Sequence, residues 1–466
     1  MVVKNPAIMG FRKALFSLIV LGCTVGTACA QPADEARPRN IILFVSDGCG
    51  PASFTFARDY LRYKDGSEFL AIDPLQVGSI HTYSTNSRVT DSAASATAFA
   101  CGVKTFNGAI AVDTLRRPVA TILEAAEARG MATGLVATST ITHATPASFS
   151  AHVHNRGMVT VIAAQQMEQG IEVMFGGGVA DFLPKSIGGS RGDERNLLDE
   201  AVEKGYRVVR DRDGFLDVDQ TPVLGLFSEG QMDFEIDRDP EQQPSLAEMT
   251  AKAIDLLKDD PEGFFLMVEG SRIDHAAHAN DAAGHLHDIL AFDKAVAAAL
   301  DFAREDSQTL IVSTSDHETG GLTLGRNVDN QPMYTWRPDV IDKIPATHGG
   351  LAAIAQDEGK MPCDVLKEYA EIECTEAEVE EFARALAGEA SLNFTLAEII
   401  SRRVWVGWTT GGHTAVDVNL YAYGPGRDRF IGHHDNTAVG QLLAELMGFD
   451  LEAMTEEMRQ EAAGSR

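Results

Sequence analysis

Asn40-Ile41-Ile42-Leu43-Phe44-Val45-Ser46-Asp47-Gly48 is the stretch on which the reading of this 466-residue chain turns. Its apolar residues run on without alternation, as in a strand covered on both faces, and it stops abruptly at a carboxylate and a glycine. Similar short runs recur at Ala132 to Thr138, Gly263 to Val268 and Gln308 to Thr314, with helical patterns between them at Thr121 to Arg129, Ser245 to Lys258 and Asp288 to Arg304. Strands alternating with helices predict an α/β fold whose central, mostly parallel sheet carries helices on both faces. Asn330 to Arg403 breaks the alternation, with prolines first and then acidic helix formers such as Glu376 to Leu386. It reads as an insertion, so the expected organisation is a catalytic α/β domain over 31–330 and 404–466 with a smaller inserted subdomain over 331–403. After it come a strand at Val416 to Tyr423, a stop at Gly424-Pro425-Gly426 and a last helix around Asn436 to Met447.

The first thirty residues read as a secretory signal: Lys4, Arg12 and Lys13 precede the apolar stretch Ala14 to Leu21, and Ala28-Cys29-Ala30 offers a small-residue cleavage site before Gln31. The expectation is export to the periplasm or the extracellular space. The competing reading takes Val20-Leu21-Gly22-Cys23 as a lipoprotein box that leaves an acyl anchor on Cys23, though Leu21 fits it poorly. No later run approaches the roughly 20 apolar residues of a transmembrane span. The formal charge is −29, and three units more negative once the signal cations are gone. Such acidity argues against nucleic acid or an anionic membrane surface as partner, and an anionic substrate has to be captured by local charge from metals or arginine. Of the cysteines beyond the signal, Cys363 and Cys374 close a short loop and can pair where geometry allows, whereas Cys49 and Cys101 read as small buried hydrophobes.

Ligands of open α/β sheets bind beyond the carboxyl ends of the strands, so the polar residues just after each strand carry the chemistry. Here they are Asp47, Glu269 and Asp316-His317-Glu318, each a carboxylate at the same edge. Asp274 and His278, four apart, share one helical face and supply the oxygen and nitrogen donors that suit zinc. That spacing is common on solvated helices, but the neighbouring Asp316-His317 and the glycine-flanked His413 raise its weight. Ser92, in Asp91-Ser92-Ala93-Ala94-Ser95, opens an alanine-rich helix whose free N–H groups and positive dipole end favour a phosphate and an ionised oxygen. In isolation it would be an N-cap; as a nucleophile it needs a base or a metal, and no Ser-His-Asp order lies near it.

Val89 to Ala98, Cys101-Gly102-Val103-Lys104-Thr105, Val268-Glu269-Gly270 with Ile273-Asp274-His275, and Ser315-Asp316-His317 together resemble the alkaline phosphatase family, over most of 40–330 and again over about 405–440. The resemblance implies phosphate-monoester hydrolysis through a phosphoserine on Ser92, two zinc ions, one magnesium ion, and a homodimer. One zinc would be held by Asp274, His278 and His413, the other by Asp47, Asp316, His317 and the oxygen of Ser92. Magnesium would take Asp47, Thr145 and Glu269, while Arg156 would grip two phosphate oxygens, as bidentate phosphate recognition asks of an arginine in any fold. Two substrate-binding positions vary within the family. An aspartate two residues before the threonine is His143 here, and a lysine after the zinc-binding aspartate is His275, which resembles the animal-type pattern.

A sulfatase of the same superfamily would carry a Cys/Ser-x-Pro-x-Arg motif, which Ser92 to Ala96 does not match; Glu269 argues against a diesterase; a phosphate- or zinc-sequestering protein would have no use for Ser92. The remaining histidines, His81, His152, His154, His285, His287, His348, His433 and His434, read as surface or supporting residues, with His152 and His154 nearest the site because they precede Arg156.

Overall fold

The computed structural model describes residues 37–464 except 329, so the signal over 1–30, the start at Gln31 and the Cys23 anchor lie outside the described residues. The opening run is β1 (Asn40–Val45), buried throughout. It lies in a ten-stranded sheet with β2 (Gln76–His81), β3 (Ala132–Thr140), β4 (Val173–Gly177), β5 (Arg207–Val209), β6 (Val223–Leu226), β7 (Phe264–Glu269), β8 (Thr309–Thr314), β9 (Val418–Tyr423) and β10 (Gly432–Asp435). The order is β10-β2-β9-β8-β1-β7-β3-β4-β6-β5. One strand alone is reversed: β8 through β5 are parallel and β2 and β10 run the same way, whereas β9 runs antiparallel to both β8 and β2. The chain leaves β8 at its carboxyl end and re-enters from that same edge after the 331–403 segment, so β9 can only run back down the sheet.

The unbroken apolar run of β1 serves two cores. Ile42 and Phe44 point into one cluster, and Ile41, Leu43 and Val45 into the other, one on each face of the sheet. In the 331–403 segment, helices Pro338–Ile341, His348–Glu358, Pro362–Ala370, Glu376–Leu386 and Leu392–Val404 contribute Ile341, Leu351, Val365, Phe382 and Ile399 to the same cluster as Ile42 and Phe44. Glu376–Leu386 begins on a reciprocal cap in which Thr375 and Glu378 satisfy each other's N–H groups. Cys363 and Cys374 are disulfide-bonded, Cα atoms 5.8 Å apart, and staple this helix to its predecessor. Cys49 and Cys101 are free and buried, and burial pushes both thiols up in pKa. The chain was expected to end in a helix around Asn436 to Met447; beyond the helix Thr437–Met447 and its left-handed Gly448 cap, a further helix, Leu451–Gly464, continues. Thr455 anchors it by accepting the Ala120 N–H at 2.9 Å. No helix among the described residues is long and apolar enough to cross a membrane.

At the opposite end of the sheet from the carboxylates, Glu127 sits beside Glu172, and both accept from the Thr133 hydroxyl. Burial, with a smaller push from Glu172, raises Glu127 from 4.5 to about 7. The folded chain therefore holds a proton that the unfolded chain has released, and this contribution, full below pH 4.5, is lost as pH rises through 7. Glu127→Gln is expected to gain Tm relative to the native chain between pH 5 and pH 8; an equal Tm difference at both pH values would contradict the assignment.

Candidate active site

The strand register brings the carboxylates together. Val45 lies opposite Glu269 on one side and Thr314 on the other, so Asp47 and Asp316, each two residues further on, emerge at one edge beside Glu269. Gly48 then turns with φ +73°, and a Cβ there would stand 2.7–2.8 Å from Asp274. Only glycine lets the turn after Asp47 approach the helix Arg272–His278 so closely. His413 arrives after the 331–403 segment on a two-residue strand, His413–Thr414, paired antiparallel with Glu318–Thr319.

Three donor groups result. In the first, Asp274 lies 3.3 Å from His278 Nε2 and 3.8 Å from His413 Nε2. In the second, His317 Nε2 lies 3.1 Å from Asp316 and 3.6 Å from Asp47. The third joins Asp47, Glu269 and His143, with His143 Nδ1 4.0 Å from Glu269. Backbone and hydroxyl partners orient the rings: His278 Nδ1 bonds the Gly411 carbonyl, His413 Nδ1 the Thr90 carbonyl and His317 Nδ1 the Thr319 hydroxyl. Carbonyls only accept, so His278 and His413 each donate from Nδ1 and turn Nε2 inward, the orientation in which histidines ligate metals.

Ser92 is the first residue of its helix, Ser92–Cys101, and not the cap. Asp91 takes that role, its Oδ1 accepting the Ala94 N–H at 3.0 Å. The Ser92 hydroxyl is thereby released from capping and stands 3.2 Å from His317 Nε2. Arg156 donates to Asp91 Oδ2 at 3.2 Å and to His143 Nε2 at 2.9 Å, which places its guanidinium at the mouth of the same helix. Arg272 donates to His275 Nδ1 at 2.8 Å. Because arginine only donates, neutral His143 holds its proton on Nδ1 and neutral His275 on Nε2. Burial, followed by the neighbouring arginine charge, drives His143 well below its ordinary pKa and His275 down to about 4.

The charge balance at this edge is unfavourable for the bare chain. Asp47, Glu269 and Asp316 are fully buried, and both oxygens of Asp47, one of Glu269, one of Asp316, Thr145 Oγ1 and His143 Nδ1 have no hydrogen-bond partner. Burial, then the charges of Asp316, Asp274 and Glu269, raises Asp47 well above the carboxylate range. Burial likewise lifts Glu269 to about 7. Asp274 goes the other way: burial is outweighed by the His278 hydrogen bond and the nearby imidazoles. Unpartnered, buried carboxyl oxygens converging with imidazole nitrogens are a donor set for divalent cations, which supply the missing partners and favour the ionised form.

A family model described as alkaline phosphatase matches residues 38–449. The chain belongs to the alkaline phosphatase family. It is 39% identical to the repressible alkaline phosphatase of Saccharomyces cerevisiae, over 95% of this chain and 87% of that protein. It is also 39% identical to alkaline phosphatase 3 of Bacillus subtilis strain 168, over 94% and 95%. Among solved structures, the cold-active alkaline phosphatase of a psychrophilic Shewanella sp. superposes with a TM-score of 0.80 at 36% identity, covering 88% of this chain and 99% of that one. The activity of the family is hydrolysis of phosphate monoesters, and metal cofactors go with it.

In this alkaline phosphatase His152 and His154 keep the supporting and surface places expected of them. His152 bonds the Ala111 carbonyl and Glu124, buttressing the helix Ile122–Arg129 rather than the donor groups, and His154 is exposed. The N-cap reading of Ser92 gives way to Asp91. Asp91, Arg272 and Thr319 were given no role: an aspartate just before an alanine-rich helix is a legible N-cap signal, the position of Thr319 two residues after His317 could have pointed to it, and Arg272 carries no ligand-like motif.

Proposed function

We propose that the chain hydrolyses phosphate monoesters through a phosphoserine on Ser92, with two zinc ions and one magnesium ion. The observation that carries this reading is the Ser92 hydroxyl, freed from capping and aimed at a buried group of unpartnered ligand atoms. Asp274, His278 and His413 would hold one zinc; Asp47, Asp316, His317 and the Ser92 oxygen the other; Asp47, Thr145 and Glu269 the magnesium. When bound, such cations lower the pKa of a hydroxyl and stabilise the entering and leaving oxygens of an in-line displacement. Ser92 Oγ forms the bond to phosphorus as the alcohol oxygen leaves, and water later takes the phosphoryl group from Ser92. Arg156 pairs with two equatorial oxygens, and the first-turn N–H groups that Asp91 does not take face the same charge.

His143 and His275 give the site its variant character. A neutral His275 donates one hydrogen bond to phosphate where a lysine would bring full charge, and a neutral His143 brings no anion to the magnesium group. The double variant His143→Asp, His275→Lys is therefore expected to bind magnesium more tightly and to suffer phosphate inhibition at lower concentration. No change in either quantity counts against the roles given to these histidines.

The export reading rests on residues 1–30, the homodimer on family resemblance, and the inserted subdomain at 331–403 on the break in strand–helix alternation. The proposed reaction is tested by metal analysis paired with p-nitrophenyl phosphate hydrolysis before and after chelation. Zinc and magnesium near 2:1 with activity lost on chelation and restored by both ions is expected; full turnover by the metal-stripped chain defeats the proposal.

A further inference from the structure

Thr319 occupies a position for which neither motif nor family resemblance assigned a role. It is fully buried, and its hydroxyl lies 2.6 Å from Asp274 Oδ1 and 3.1 Å from His317 Nδ1. Asp274 belongs to the first donor group and His317 to the second. Chemistry settles the direction of both bonds. An ionised carboxylate only accepts, so the single hydroxyl proton goes to Asp274. The oxygen of Thr319 is then left to accept the Nδ1–H of His317, which leaves Nε2 as the nitrogen that faces Ser92, Asp47 and Asp316 and that would ligate a cation bound there. The backbone adds two further links. The Thr319 N–H donates to the Gly48 carbonyl at 3.0 Å, next to Asp47, and Thr319 pairs directly across the short ladder from His413.

We infer that Thr319 is a positioning residue whose one hydroxyl couples the two zinc groups, fixing the tautomer of His317 and the rotamer of Asp274 at once. The inference rests on the reading of those groups as cation sites. Outer partners of metal ligands typically set affinity by about 10- to 100-fold, and here a single outer partner serves both centres. The competing account is packing alone: a β-branched residue suits a short buried strand, and the methyl of threonine fills space. Valine separates the two accounts because it keeps the branched shape and removes the hydroxyl, whereas serine keeps the hydroxyl and removes the methyl.

The test is competition for zinc between a chromophoric chelator and the full chain, native, Thr319→Val and Thr319→Ser, with visible absorption of the cobalt-substituted proteins as a second readout. The expected result is zinc affinity weakened by about 10- to 100-fold at both zinc groups in Thr319→Val. Thr319→Ser is expected to stay near native in affinity and in cobalt spectrum. Native-like affinity of the valine variant at either group overturns the coupling, and so does a serine variant as weak as valine, which would make the methyl the operative part. Far-UV circular dichroism of the chelated proteins checks folding; if the valine variant does not fold, Thr319→Ala takes its place against Thr319→Ser with the same expected contrast. A native chain that takes up no zinc defeats the cation reading itself. A native chain that binds two zinc ions, beside a valine variant that binds them equally well, defeats only the role of Thr319.

Discussion

Ser92→Ala is expected to lower p-nitrophenyl phosphate turnover by roughly four to six orders of magnitude, the scale on which loss of a nucleophile is felt when the rest of its machinery stays in place. The fold should barely notice. Asp91 holds the helix cap through Ala94, Ser92 is the first helical residue, and alanine is the best helix former, so the substitution removes a hydroxyl without removing a cap. Zinc should still bind through Asp47, Asp316 and His317, and the melting temperature of the loaded variant should match the native chain within about 2 °C. The dissociation between intact metal uptake and lost turnover is what distinguishes a nucleophile from a structural serine. Turnover within tenfold of native in a zinc-loaded Ser92→Ala protein would remove Ser92 from the reaction.

Asp47→Asn should produce the second-largest effect, with opposite signs in two measurements. Asp47 is shared by the second and third donor groups, both its oxygens lack partners, and Asp316, Asp274 and Glu269 all oppose its charge. Its carboxylate is therefore tolerated for what it binds and costs stability when nothing is bound. An amide removes the charge and offers N–H donors to the unpartnered Asp316 oxygen, so the chelated variant should be more stable than the chelated native chain by on the order of 1–3 kcal/mol. With cations present the order reverses, because a ligand at a thousand times its dissociation constant stabilises the native chain by about 4 kcal/mol and the variant has lost a shared ligand. Calorimetry with and without chelator, alongside turnover, reads both effects. A chelated Asp47→Asn protein that melts below the chelated native chain would show that the orphaned oxygens do not strain the fold.

Most of the strand and helix pattern near the site was legible because burial on both faces of a parallel sheet leaves unbroken apolar runs, as in Asn40 to Val45 and Phe264 to Val268. The helix Glu376–Leu386 was legible to its ends because its caps are local side-chain chemistry. The helix Leu451–Gly464 was not: it docks through Thr455 on Ala120, a contact between distant parts of the chain. The antiparallel course of β9 escaped for a similar reason, since strand direction follows from where the chain re-enters the sheet.

The order of the carboxylates along the chain, and so their presence at one sheet edge, was written in local sequence: a strand has a direction, and Asp47, Glu269 and Asp316 each close one. Which side chain caps the helix that Ser92 opens, which nitrogen of His317 faces inward, and that one hydroxyl on Thr319 reaches both His317 and Asp274 belonged to the tertiary structure alone. Hydrogen-bond direction depends on partners that meet only after β8, the 331–403 segment and the Gly411 to Thr414 return have brought residues up to 323 positions apart to within 3 Å.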